Sequence, residues 1–382
     1  MESRTEQNGL STSDSPALHL DHPTQDECNY KTTYILESQF LTNIPLAKDG
    51  GMTTWILVDK NMSPDQRRIF CSCETFYKRS LTSDILGNVE EVLVHGIASV
   101  FCPQEYRRRG YAARHMKELS KQLRNWQSSG ARVAGSVLYS DIGKSYYAKL
   151  GWIPNSTNMH IEFSPSKVPR PASVRDITEN DLPGLCKRDE DMIREAMSTP
   201  ATVKTRLTIL PDLDHMLWHI RKEDFATNHL FGRVAHAKGA IVGPAGKQVW
   251  AIWTHRYYGR HDTESPNNVL CILRLVVEGD KSANMAPMDG MSGTETTLPD
   301  KQAAYLTLIL QAAQAEAAEW QLDHVKLWDP SPCVEKTIAK SRIDHVVVER
   351  EEESIASGMW YDEHDNLEPP PTWINNQHYA WC

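Results

Sequence analysis

The sequence lacks any cysteine arrangement that would hold a metal or staple a secreted fold. Its eight cysteines are Cys28, Cys71, Cys73, Cys102, Cys186, Cys271, Cys333 and Cys382, and they are scattered. Cys71 and Cys73 stand one residue apart, with no second pair to complete a zinc site. Free thiols in a reduced intracellular protein, with no metal, are the expectation. Long apolar runs are missing too. No stretch approaches the roughly 20 apolar residues that span a bilayer, and the opening MESRTEQNGLSTSDSPALHL is polar, with no apolar core of leader length. A cytoplasmic location and no membrane partner follow as expectations, with a nuclear location as the secondary alternative. Basic charge is short as well: Lys+Arg number 41 against Asp+Glu 50, a net charge of -9. That balance argues against sequence-independent nucleic-acid binding, which needs a broad basic surface to displace counterions. It suits a small cationic or neutral substrate. What is present is a 382-residue chain, 40% hydrophobic and 24% charged, enough for two ordinary soluble cores.

The order of elements suggests two related α/β units. Residues 1–25, rich in Ser, Thr, Gln and Asp, read as a flexible N-terminal tail. Strands are expected over 53–59, 68–78 and 90–101, a helix from about Gly110 to Asn125, and a buried strand over 131–139. A short helix is expected over 141–152, with Asp141 as its N-cap and Gly151 as its stop, and a last strand over 159–164. This first domain covers 26–165. The proline-bearing stretch 166–175 reads as a linker. Beyond it, 176–382 restarts the pattern: a helix, a strand pair over 247–259 and 268–279, a strong amphipathic helix over 298–321, and strands over 323–329 and 345–352. The tail PPPTWINNQHYAWC is apolar enough to dock on the body. The long loop 278–300 is of a length usually functional or disordered.

An acidic chain nevertheless places Arg107, Arg108 and Arg109 together, directly before Gly110, Tyr111, Ala112 and Ala113, where a strand ends and a helix begins. Unsatisfied N–H groups at a helix N-terminus carry about half a positive charge and attract phosphate oxygens. Gly110 and Ala112 have no bulk to keep a ligand from the backbone, and guanidinium groups suit phosphate. Cations at this end oppose the dipole, so a plain solvated basic turn explains them less well than a bound anion does.

RRRGYA fits the R/Q-x-x-G-x-G/A signature of the GNAT superfamily of N-acetyltransferases. Tyr147, three residues, then Gly151-Trp152 resembles the closing helix of that fold, one helix and one strand downstream. HGIASVFCPQEYRRRGYAARHM, VLYSDIGKSYYAKLGW and NNQHYAWC resemble the fungal lysine N-acetyltransferase family of lysine catabolism, from about Trp55 to Cys382. The resemblance implies an N-terminal GNAT fold, a mixed sheet flanked by helices, and a C-terminal GNAT-like unit without the cofactor turn, since that half has no R-x-x-G-x-A junction and enters its long helix through Asp300. It implies acetyl-CoA as cosubstrate, its pyrophosphate on Arg107–Ala113 and its pantetheine on the main chain of Val100, Phe101 and Cys102. It implies that Tyr147 protonates the CoA thiolate, and that free lysine or a related aminoalkyl compound is acetylated.

Such a transfer needs a neutral amine, although a lysine amine titrates near 10.4. His95, mid-strand, titrates near 6.5 if unperturbed and could be the base; a satisfied polar group in a strand is the plainer reading. Glu74 could act through a water. Glu90 and Glu91 could bind a cationic amine or simply be solvated. Asp141 is fully accounted for as a helix cap. Cys102 has no visible base and precedes Pro103, so direct transfer is preferred to a covalent acyl-enzyme. A protein-lysine acetyltransferase and a CoA-binding regulatory pseudoenzyme are the alternatives.

Overall fold

The computed structural model describes residues 8–13, 27–258, 267–279, 297–362 and 367–381. Two mixed sheets result, each containing one parallel strand–helix–strand step. The first half contributes β1 (Asn8–Ser13), α1 (Glu27–Leu41), β2 (Met52–Asp59), β3 (Ile69–Asp84), β4 (Val89–Phe101), α2 (Tyr111–Leu123), β5 (Val133–Ser140), α3 (Ser145–Ala148), β6 (Ile153–Pro154) and β7 (Met159–Phe163). The second contributes β8 (Arg175–Ile177), α4 (Leu182–Met197), β9 (Thr205–Ile209), α5 (Leu213–Phe231), β10 (Gly239–Val242), β11 (Val249–Arg256), β12 (Val269–Val277), α6 (Asp300–Glu319), β13 (His324–Trp328), α7 (Pro332–Lys340), β14 (Val346–Glu349), β15 (Ile355–Tyr361), β16 (Leu367–Glu368) and β17 (Thr372–Trp373). The parallel pairs are β4 with β5, linked by α2, and β12 with β13, linked by α6. The α/β class holds, and α1, β9, α5, β10, α7 and β15 stand in addition to the elements expected. β3 runs six residues beyond its expected end.

The sheets do not divide where the chain does. Sheet one runs β1-β2-β3-β4-β5-β15-β16, with β9 on β3, β17 on β9 and β6 on β15; sheet two runs β14-β7-β13-β12-β11-β10-β8. So β7, expected to close the first unit, pairs antiparallel with β13 and β14 of the second. The place beside β5 goes to β15 from the far end of the chain. Packing explains the exchange. Trp360 of β15 sits against Gly135, where a Cβ would lie 2.6 Å from its ring, a contact only glycine permits. On β7, Glu162 faces His324 at 2.7 Å and Lys326 at 3.6 Å across β13.

Asn8–Ser13, inside the expected flexible tail, pairs with β2. The expected loop 278–300 lies mostly outside the described residues. The apolar tail is buried from Trp373 to Ala380. Val92, Val94 and Trp360 of the first sheet, Trp250, Ile252 and Leu273 of the second, and Tyr379 of the tail share one core. Sequence periodicity misses α5 for a physical reason: His215, His219, Glu223 and Thr227 recur every four residues on its buried face, so no purely apolar stripe exists. Each has a partner that makes burial tolerable, among them Asp212, the Tyr379 carbonyl and His255.

Candidate active site

The two parallel strands of sheet one part company near their C-terminal ends. Pairing of β4 with β5 stops at Ile97 opposite Leu138, while Tyr139 and Ser140 continue with β15. Beyond that point β4 is bulged: Ser99 and Val100 together oppose Cys73, and Ser99 adopts φ 54°. Backbone N–H and C=O groups of Ser99–Phe101 therefore line a wedge rather than a ladder. Val100, Phe101 and Cys102 all lie along it, half-buried.

The arginine turn follows directly. Arg108 (φ 60°) and Gly110 (φ 83°) both take left-handed backbone to swing the chain into α2, and a Cβ on Gly110 would meet nothing within 4 Å. The first helical bond runs from Arg114 N–H to Gly110 O, leaving the N–H groups of Tyr111, Ala112 and Ala113 at the open end. Aromatic packing stiffens the turn: Tyr111 stacks on Phe70 at 4.6 Å, and Tyr106 meets Phe70 edge-on at 5.0 Å. Arg107 Nε donates to Cys102 O at 2.9 Å. Arg108 and Arg109 are exposed and have no partner among the described residues. Two exposed guanidiniums therefore stand against the positive end of a 13-residue helix, an arrangement whose charge favours an anion.

Opposite the turn, α3 presents adjacent tyrosines. Tyr147 N-terminal to the stop is buried, and burial, then its neighbours Tyr146, Cys73 and Cys71, push its phenol well above the ordinary range. It therefore stays protonated at neutral pH. Tyr146 is half-exposed and meets Tyr147 edge-on at 5.0 Å. The motif's spacing has a mechanical origin: Gly151 takes φ 106°, letting Trp152 N–H return to Tyr147 O at 3.1 Å. Trp152 Nε1 then donates to Ser136 Oγ at 3.0 Å inside the core. Asp141 is not the cap of α3, which begins only at Ser145; its carboxylate accepts Ser354 N–H at 2.9 Å and ties the end of β5 to the start of β15.

Across the sheet, Glu74 lies opposite Ala98, one residue before the bulge. Burial raises its carboxyl above the ordinary range, against the opposing pull of Ser99, whose Oγ donates to it at 2.8 Å, and of Lys222. Glu74 forms the floor of a small cleft with Glu37, Ser38, Leu41, Thr42, Met52, Trp218 and Lys222, between α1 and α5. Two carboxylates against one ammonium leave it net negative. Sequence reasoning missed Glu37, Trp218 and Lys222 because neither helix was anticipated. A wider polar cleft bounded by Thr82, Glu90, Arg132 and Trp360 opens at the opposite end of β4, remote from the wedge.

His95 does not join this group. It is fully buried, flanked by Leu93 and Ile97 in the core beneath α2, and neither ring nitrogen makes a well-formed hydrogen bond among the described residues, Gln127 standing beside it. Burial lowers its pKa to about 4. The expectation of a catalytic base at His95 fails on access: no substrate reaches that ring as the chain is folded. Glu90 and Glu91 are at the far end of β4, paired with Arg132 and with Arg79 and Arg194. Trp250 and Trp253 are wholly buried core. Among the described residues no cluster of His, Cys, Asp and Glu could hold a metal, and no helix is long and apolar enough to cross a membrane.

A wedge between parallel strands, a basic turn at a helix N-terminus and a protonated tyrosine describe a GNAT-type N-acetyltransferase. Comparison with known proteins agrees in one specific respect. The chain belongs to the LYC1-like GNAT family: the model of the LYC1 GNAT-like C-terminal domain matches residues 160–382. No curated protein matches the chain. Solved structures are similar to it at low identity. A GCN5-related N-acetyltransferase from Kribbella flavida has a TM-score of 0.45 and 13% identity over 94% of this chain and 73% of its own. A probable N-acyltransferase of Enterococcus faecalis V583 gives 0.43 and 10% over 92% and 72%. A GCN5-related N-acetyltransferase from Anabaena variabilis gives 0.42 and 11% over 92% and 73%. The assignment rests on the family match.

Proposed function

We propose that this N-acetyltransferase takes acetyl-CoA and acetylates a small amine, free lysine or a related aminoalkyl compound, by direct transfer. The observation that carries the reading is the conjunction at the end of β4: an unladdered, bulged strand edge runs straight into a helix N-terminus ringed by Arg107, Arg108 and Arg109. Bound acetyl-CoA would supply an activated acetyl thioester. The α2 N–H groups and the arginines would hold its pyrophosphate, and the β4 edge from Ser99 to Cys102 would pair with its pantetheine.

The amine approaches from the α1–α5 side, where a cleft of about 20 Å³ must widen to admit it; Glu37 and Glu74 there favour a cation, and Trp218 offers an aromatic wall. Glu74, raised by burial, accepts a proton from the ammonium as it comes up to the bulge. Ser99 fixes the carboxylate orientation through its 2.8 Å bond. Tyr147 gives its phenolic proton to the departing sulfur. Holding amine and thioester together supplies a further large part of the acceleration.

The test is thiol release from acetyl-CoA with and without free lysine, then with a panel of amines and a lysine peptide. Lysine-dependent release supports the full reading. Release with another small amine keeps the chemistry and discards lysine; release with the peptide alone overturns the small-amine assignment.

A further inference from the structure

We propose that Cys71 and Cys102 are a redox pair whose reversible disulfide controls the cofactor turn. The proposal rests on the cofactor reading for its consequence, though not for the bond itself. Register is the first observation. Ser72 pairs with Phe101 as the last step of the antiparallel β3–β4 ladder, and that register carried one residue further, just past the end of β4, would set Cys71 opposite Cys102. Opposed residues of an antiparallel pair hold their Cα atoms about 4.5–5.5 Å apart, within the roughly 4.4–6.8 Å that a disulfide spans. Packing is the second, and it is independent of register. Cys71 forms a buried cluster with Leu57 and Phe70, and Cys102 packs against that same cluster beside Tyr106 and Tyr111. The Tyr146 phenol, raised first by burial, also feels both thiols, so the three groups converge. Of the other described thiols, Cys73 faces His115 at 3.1 Å, and Cys186 and Cys271 lie on separate elements, α4 and β12.

Accessibility orders the chemistry. Cys102 is half-buried and has Arg107 beside it, which opposes the rise that burial causes; Cys71 is fully buried and pushed up to about 12. With a hydroperoxide as oxidant, the Cys102 sulfur attacks a peroxide oxygen, the O–O bond breaks, and sulfenic acid forms with loss of one water (one alcohol for an alkyl hydroperoxide). The Cys71 sulfur then displaces the hydroxyl, the S–S bond forms, and its proton leaves with that hydroxyl as a second water. The carbonyl of Cys102 is the acceptor for Arg107 Nε, and the Arg107 guanidinium lies 5.9 Å over Phe101. Tethering Cys102 to β3 therefore pulls on the first residue of the phosphate turn.

Purified protein is exposed to hydrogen peroxide, free thiols are blocked, and peptides are mapped before and after dithiothreitol; acetyl-CoA affinity is measured by calorimetry on each sample. The expected result is one Cys71–Cys102 linkage, reversed by dithiothreitol, with acetyl-CoA affinity at least fivefold weaker while it is present. In Cys102→Ser, and separately in Cys71→Ala, the ratio of affinities before and after peroxide should stay near one. Both thiols remaining free, Cys102 ending as sulfinic acid, or a linkage between other cysteines would each overturn the pair. A linkage that forms without changing affinity overturns its control of the turn. If the reduced protein fails to bind acetyl-CoA while the linkage still maps, the cofactor reading has failed and the regulatory claim with it, but the thiol pair has not.

Discussion

Replacing Glu74 by glutamine should lower activity and raise stability together, because the charge that would serve the reaction is one the fold tolerates badly. The carboxylate is 5% exposed and accepts a hydrogen bond of 2.8 Å from Ser99. Glutamine keeps the shape and an acceptor for Ser99, and removes the proton-accepting charge. A positioned general base contributes about 10²–10⁴ in rate, or roughly 3–5 kcal/mol at about 1.4 kcal/mol per tenfold. The drop in kcat/KM should fall in that range, with acetyl-CoA affinity kept. Stability moves the other way. A carboxyl held above its unfolded value of 4.5 makes the folded state bind more protons than the unfolded one. Its contribution is fully favourable below about pH 4.5 and is lost as pH rises through the folded value. Glu74→Gln removes that loss, so its advantage over the parent in urea denaturation should grow between pH 5 and pH 8. Offsetting this, the Ser99 bond becomes neutral and weakens by about 1 kcal/mol. The paired assays are thiol release across pH and urea midpoints at the two pH values. A variant with kcat/KM within threefold of the parent and an unshifted acid limb would refute Glu74 as base.

Gly110→Asp should weaken acetyl-CoA binding more than tenfold by setting a carboxylate in the phosphate turn; Gly110→Ala, whose Cβ meets nothing within 4 Å, should cost only about 1–2 kcal/mol of stability from its left-handed backbone. Equal affinities in calorimetry for the two variants would remove the electrostatic argument. Tyr147→Phe should reduce kcat about a hundredfold and spare acetyl-CoA affinity, checked by steady-state kinetics beside calorimetry; unchanged turnover would take the phenol out of the reaction. His95, His115 and His160 are each lowered to about 4 by burial. Their folded values lie below the unfolded 6.5, so stability present above pH 6.5 is lost as pH falls toward 4, and acid denaturation should be steep across that window. His95→Leu should flatten part of it and leave kcat within about twofold, and a large loss of kcat would return His95 to the site.

The basic turn was legible in the sequence because it is local. Arg107 to Ala113 needs only a strand end, a glycine able to take φ 83° and a helix start, all within a dozen residues. The setting of Tyr147 was legible for the same reason: the Gly151 backbone and the return bond from Trp152 fix it within one turn. His95 misled because a strand sequence gives no sign of which face a residue takes, or of whether that face lies under a helix. Glu74 stood among several acidic candidates until its side of β3 was known. The cleft with Glu37, Trp218 and Lys222 joins residues from α1 and α5 that are nearly two hundred positions apart. The α5 polar row concealed the helix itself.

By itself, then, the sequence determined the local devices: the helix periodicities, the left-handed glycines, the charge at one helix end and the apolar strands. Only the tertiary structure decided which strand lies next to β5, and so which ends of the chain share a core. That choice depends on Trp360 meeting Gly135 across more than two hundred residues, and shape complementarity at such a distance leaves no period in the chain to read.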